Sequence, residues 1–106
     1  MEIELLVVQD CPHEAAAAEL ITTAVAHTGV KATITYTIIA SEDQARQRGF
    51  IGSPTILLND SDPFARLEAP VALACRLYST PDGLRGVPTL RDLRQALKRV
   101  AGVRRN

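Results

Sequence analysis

Two cysteines, Cys11 and Cys75, are the only thiols in a chain of 106 residues. Cys11 stands in Gln9-Asp10-Cys11-Pro12-His13-Glu14, where an apolar run ends and an alanine-rich segment begins. A helix starting there offers free N–H groups and a partial positive charge, which favour a thiolate over a thiol. The thiolate is the form that attacks disulfides and binds soft metals. His13 favours it further if charged or donating a hydrogen bond. Glu14 opposes it if ionised, and it occupies the place of the second cysteine of a Cys-X-X-Cys site. Pro12 and Glu14 also have a purely local reason, because proline suits the first helical position and acids suit a first turn. The sequence therefore leaves two readings of Cys11: a working thiol with a distant partner, or the remnant of a lost site.

A second stretch with chemical content is Gly52-Ser53-Pro54-Thr55. A Ser-Pro bond at the mouth of an apolar strand suits a cis peptide, although a turn proline feeding an edge strand has the same pattern. Cys75 admits three readings. It resolves a mixed disulfide formed at Cys11, it joins Cys11 as a soft ligand for a thiophilic metal, or it packs in the core as a small hydrophobe. Zinc is not expected, because two cysteines with His13 and His27 show none of the usual ligand spacing. No cofactor is implied.

These residues need elements to hold them. Ile3 to Val8 is a short, branched, nearly continuous apolar run, as in a strand buried on both faces. Glu14 to Thr28 reads as a helix with Ala16, Leu20, Ala24 and His27 on one face, closed by Gly29. Lys31 to Ile39 alternates threonine with larger apolar residues and reads as a strand. Ser41 with Gln44 forms a capping box for a short helix that Gly49 ends. Short connections then predict a right-handed β-α-β crossover with parallel strands. Thr55 to Leu58 is a third strand, and Asn59-Asp60-Ser61-Asp62-Pro63 a dense turn. Phe64 to Tyr78 fits helix and strand about equally, with a strand expected around Leu73 to Leu77. Pro81-Asp82-Gly83 is a turn. Thr89 and Asp92 start the last helix, whose stripe is Leu90, Leu93, Leu97 and Val100, with Gly102 at its end.

Composition narrows the partners. Lysine plus arginine number 12, as do aspartate plus glutamate, so the formal charge is zero and nucleic acid is not an expected partner. The basic pair Arg104-Arg105 reads as a solvated tail. The apolar run at 3–8 is too short to span a membrane, and no basic segment precedes it, so the expected compartment is the cytoplasm. One α/β domain is expected, with a core over about 3–100 and a flexible tail at 102–106.

The order strand, "CPHE", helix, strand, helix, "GSPT", strand, strand, helix resembles the thioredoxin-like family in its compact, glutaredoxin-like form. The stretches "GSPTILLNDSDPFA" and "ACRLYSTPDG" are also similar to small bacterial thioredoxin-like proteins labelled as related to alkylmercury lyase. The resemblance implies a four-stranded mixed sheet of order 2-1-3-4, with strands 3 and 4 an antiparallel hairpin, flanked by about three helices. It puts Cys11 in the place of the attacking cysteine and Pro54 in that of the cis-proline. Pro12, Ser53, Pro54 and Thr55 would then position the substrate, the Ser53 backbone pairing with an extended peptide or thiol ligand. Cys75 would lie two strand spacings from the first strand, about 9 to 10 Å. The implied activity is thiol–disulfide exchange with a disulfide-containing protein or a small thiol such as glutathione. Cys11 is the nucleophile, His13 assists proton transfer and Cys75 resolves. Glu14 departs from the dithiol pattern. It leaves open a binding module for a soft, mercury-like metal or a thiol ligand, and a redox-inactive interaction domain.

Overall fold

The computed structural model describes residues 1–66 and 68–102. The expected basic tail at Arg104-Arg105 lies outside them. The central strand is β1, Glu2–Val7, flanked by β2, Thr33–Ile38, in parallel and by β3, Thr55–Leu58, in antiparallel sense. Among the described residues, three helices cover this sheet: α1, Glu14–Thr28; α2, Glu42–Arg48; and α3, Leu90–Val100.

The pleat of β1 divides the core in two. Ile3, Leu5 and Val7 face α1 and α3, and pack with Ala17, Ile21 and Ala24 of the first and Leu93, Ala96 and Leu97 of the second. Leu6 faces the other way, into a smaller cluster with Ile39, Ala45, Phe50 and Leu57 beside α2. Glu4 shares that second side. It pairs with Arg48 and accepts a hydrogen bond from Thr37 Oγ1 at 2.5 Å. The bond from Arg48 holds its carboxyl below the ordinary value, against the opposing effect of burial.

Local signals explain the helix ends. Ser41 Oγ accepts from the Gln44 N–H at 3.1 Å, and Thr89 Oγ1 from the Asp92 N–H at 3.0 Å. Gly29 and Gly49 close α1 and α2 in the left-handed conformation. The buried stripe of α1 is Ala17, Ile21 and Ala24, whereas Ala16 and His27 are exposed and Leu20 is half-buried. The expected face was thus one residue out of phase. Ala15 to Ala18 are identical, so the pattern there carries no phase.

The expected four-stranded 2-1-3-4 sheet does not form. The sheet has three strands in the order β2-β1-β3, and a separate two-stranded sheet joins β4, Tyr78–Thr80, to β5, Gly83–Arg85, across the Pro81-Asp82 turn. In place of a strand at 73–77 there is a bend and one isolated bridge, Cys75 to Ser53, in parallel sense. The connection explains this. A hairpin partner for β3 would have to turn back at once. The chain instead runs through left-handed Asn59 and Asp60 and past Pro63 and Pro70, and re-enters beside the start of β3. A connection of a dozen or more residues is what a parallel approach requires.

Candidate functional site

The site is the seam where three segments meet: the end of β1 leading to Cys11, the turn 52–55, and the returning segment 74–78. Cys11 lies two residues before His13, which is the N-cap of α1. Its carbonyl accepts from the Glu14 N–H at 3.3 Å, and so takes up one of the first free donors of the helix. Pro12 therefore precedes the cap rather than opening the helix, and it is exposed. The Cys11 side chain is buried, 8% exposed, within the larger core cluster. His13 is half-buried and makes no side-chain cap. Its ring lies against Gly86, where an added Cβ would fall 2.4 Å from Nδ1. The strap after β5 thus rests on the residue next but one to Cys11.

Ser53-Pro54 is a cis peptide. Ser53, Pro54 and Thr55 are all buried, and their polar groups are occupied. Ser53 Oγ accepts from the Val8 N–H at 3.1 Å, which ties the turn to the end of β1. The Ser53 N–H donates to the Ala74 carbonyl at 2.8 Å, and its own carbonyl accepts from the Arg76 N–H at 2.9 Å. Thr55 Oγ1 donates to the Gly52 carbonyl at 2.6 Å. Three of the four residues expected to position a substrate thus hold the returning segment of their own chain, while the fourth, Pro12, is exposed. Gly52 permits this close approach. A Cβ there would lie 2.7 Å from Arg76 Cβ, and the backbone φ of 141° is itself a glycine conformation.

Cys75 is exposed and unpaired with Cys11, both thiols being free. It is not the packed core residue of one sequence reading. Its neighbours Leu73 and Leu77 are 40% and 52% exposed, whereas Arg76 and Tyr78 turn inward at 6% and 5%. The thiol borders an open groove of about 840 Å³, whose walls include Phe64, Arg66, Leu77, Ser79 and Asp92.

Arg76 is the residue that the sequence reading missed. Its guanidinium donates to Thr55 Oγ1 at 3.1 Å, to Asp62 Oδ2 at 2.8 Å and to the Phe64 carbonyl at 2.7 Å, and it lies 4.5 Å from the centre of the Tyr78 ring. The Tyr78 hydroxyl donates to the Pro54 carbonyl at 2.5 Å. Burial holds that hydroxyl well above its ordinary value near 10, with Asp62 adding to the rise and Arg76 opposing it. One buried guanidinium thus joins the turn, the segment 62–64 and the residue next to Cys75. The available signal was a lone arginine inside the apolar stretch 71–78, with Asp62 in the dense turn before it.

No group of three or more histidine, cysteine or acidic side chains is placed to hold a metal among the described residues. No helix among them is long and apolar enough to cross a membrane. Compared with known proteins, the chain matches no family model, no curated protein and no solved structure.

Proposed function

We propose that this protein exchanges thiols with disulfides, with Cys75 as the thiol that meets the substrate and Cys11 as the thiol that resolves. The observation that carries this reading is the bridge between Cys75 and Ser53 together with the bond from Val8 to Ser53 Oγ. Bridged residues lie about 4.8 Å apart, and Ser53 is in turn tied to the strand end that runs into Cys11. Formation of the internal disulfide requires the loop 9–11, which spans up to about 10 Å, to bring the Cα atoms of the two cysteines within about 7 Å.

In the first step the Cys75 thiolate attacks one sulfur of a substrate disulfide. A Cys75–substrate bond forms, the substrate S–S bond breaks, and the leaving thiolate takes a proton from water. The Cys11 thiolate then attacks the Cys75 sulfur, forms the internal disulfide and expels the second substrate thiolate. Two electrons pass from the protein to the substrate. This reverses the order expected from sequence, in which Cys11 attacks first, because Cys11 is the buried thiol and Cys75 the exposed one. His13 keeps the assisting role only if the strap at Gly86 moves. The substrates are disulfide-containing proteins or small disulfides such as that of glutathione, in the reducing cytoplasm. Kinship with thioredoxin-like proteins belongs to the same proposal, and it is supported by the strand–Cys11–helix unit and by Ser53-Pro54.

Cys11→Ser should trap a mixed disulfide on Cys75 that mass spectrometry maps, and Cys75→Ser should abolish adduct formation. Undiminished reduction of glutathione disulfide by Cys75→Ser would overturn the assignment. The same two thiols support a second reading, two-coordinate capture of a soft ion such as mercury(II). It requires Cys75→Ala to bind that ion more weakly than the parent.

A further inference from the structure

The bridge at Cys75 fixes more than its position. In a planar trans peptide the C=O and the following N–H point in opposite directions. The Ala74 carbonyl points at Ser53, so the Cys75 N–H points away from it. The Arg76 N–H also points at Ser53, so the Cys75 carbonyl points away as well. Neither group has a hydrogen-bond partner among the described residues. Cys75 therefore carries a thiol together with one donor and one acceptor on the open side of an isolated bridge. That side borders the groove, with exposed Leu77 and Ser79 farther along it. The backbone of Ser53, in contrast, has both its groups committed inside the chain and has nothing left to offer a partner.

We propose that Cys75 binds its substrate by strand addition: an extended segment of a disulfide-bonded protein pairs with the Cys75 N–H and C=O and so brings its own cysteine against the thiol. An unpaired backbone donor and acceptor side by side are matched by another extended backbone. Exposed Leu77, two residues on and separated from Cys75 by inward Arg76, selects an apolar residue two positions from the substrate cysteine, since side chains alternate along an extended segment. This inference rests on the exchange chemistry proposed above. It places the substrate on the outer edge of the 74–76 segment rather than on Ser53, where the sequence reading put it.

The test uses the whole reduced protein and a capped peptide, Leu-Ser-Cys-Ser-Leu, whose cysteine is joined to thionitrobenzoate. Two analogues carry backbone N-methyl groups, one at the cysteine and one at both serines. Release of thionitrobenzoate is followed by absorbance, and each rate is divided by that with dithiothreitol to remove intrinsic reactivity. Loss of one paired backbone bond predicts that at least one analogue reacts about tenfold more slowly than the parent. If both analogues react within twofold of the parent while Cys75→Ser is inactive, strand addition is wrong and the exchange chemistry stands. If Cys75→Ser releases thionitrobenzoate as fast as the parent protein, both are overturned.

Discussion

Replacing Arg76 by methionine tests whether one buried side chain holds the site together. The guanidinium is 6% exposed, and its partner Asp62 only 12%. Removing one member of a buried pair costs about 3 to 5 kcal/mol, because the remaining charge stays buried without its counterion. Two features set the loss at the lower end. The Asp62 carboxylate keeps the Phe64 N–H as a donor at 2.8 Å, and methionine refills most of the arginine stem, so little cavity remains. The expected loss is about 3 kcal/mol, which for a chain of this size lowers Tm by about 12 °C or more. Urea unfolding at an unchanged slope measures it directly. Adding Asp62→Leu to Arg76→Met removes the stranded charge, so the double variant should recover at least about 1 kcal/mol relative to the sum of the single losses. A loss under about 1 kcal/mol for Arg76→Met, or strict additivity in the cycle, would refute the idea that this pair fastens the Cys75 segment to the turn.

Three other perturbations follow from the same contacts. Gly52→Ala puts a methyl group 2.7 Å from Arg76 Cβ at a φ of 141°; it should cost about 2 kcal/mol, and unchanged stability in urea counts against the close approach. Gly86→Ala collides with the His13 ring, so Cys11 should be alkylated several-fold faster than in the parent while the rate at Cys75 stays constant, as mass spectrometry of both sites would report. The Tyr78 hydroxyl is held protonated in the folded state, its value raised above the ordinary 10 by burial. Its contribution is complete below pH 10 and is lost as the pH rises above it. Tyr78→Phe should therefore flatten the fall in stability between about pH 10 and 12, and an identical slope in both proteins would exclude the cause.

Much of the frame was legible because local chemistry sets it. Ser41 with Gln44 and Thr89 with Asp92 announce two helix starts, Gly29 and Gly49 two ends, and the branched run at 3–8 the central strand. Cys11 before a helix and Pro54 before β3 were placed by the same local signals. The returning segment was not legible for a physical reason. Its course depends on an ion pair between residues 62 and 76, on the missing side chain at Gly52, and on a bridge between residues 53 and 75. None of these leaves a periodic trace. Val71 to Tyr78 alternates exposed and inward residues only near its end, so a strand pairing with β3 and a segment crossing its mouth read alike. The exposure of the two thiols was hidden for the same reason, since it is the returning segment that brings Cys75 to the surface.

The carbonyls of Gly52, Ser53 and Pro54 are all taken as acceptors, two of them by groups at residues 76 and 78. This has a consequence for the order of synthesis. When the ribosome has released only the first sixty residues, β1, β2 and β3 can already pair, but the turn that feeds β3 still turns two of those carbonyls to water. The site assumes its present form only after Tyr78 emerges. A nascent chain stalled at sixty residues would carry Cys11 without the segment that bears Cys75, and would present to its surroundings a single thiol in place of two.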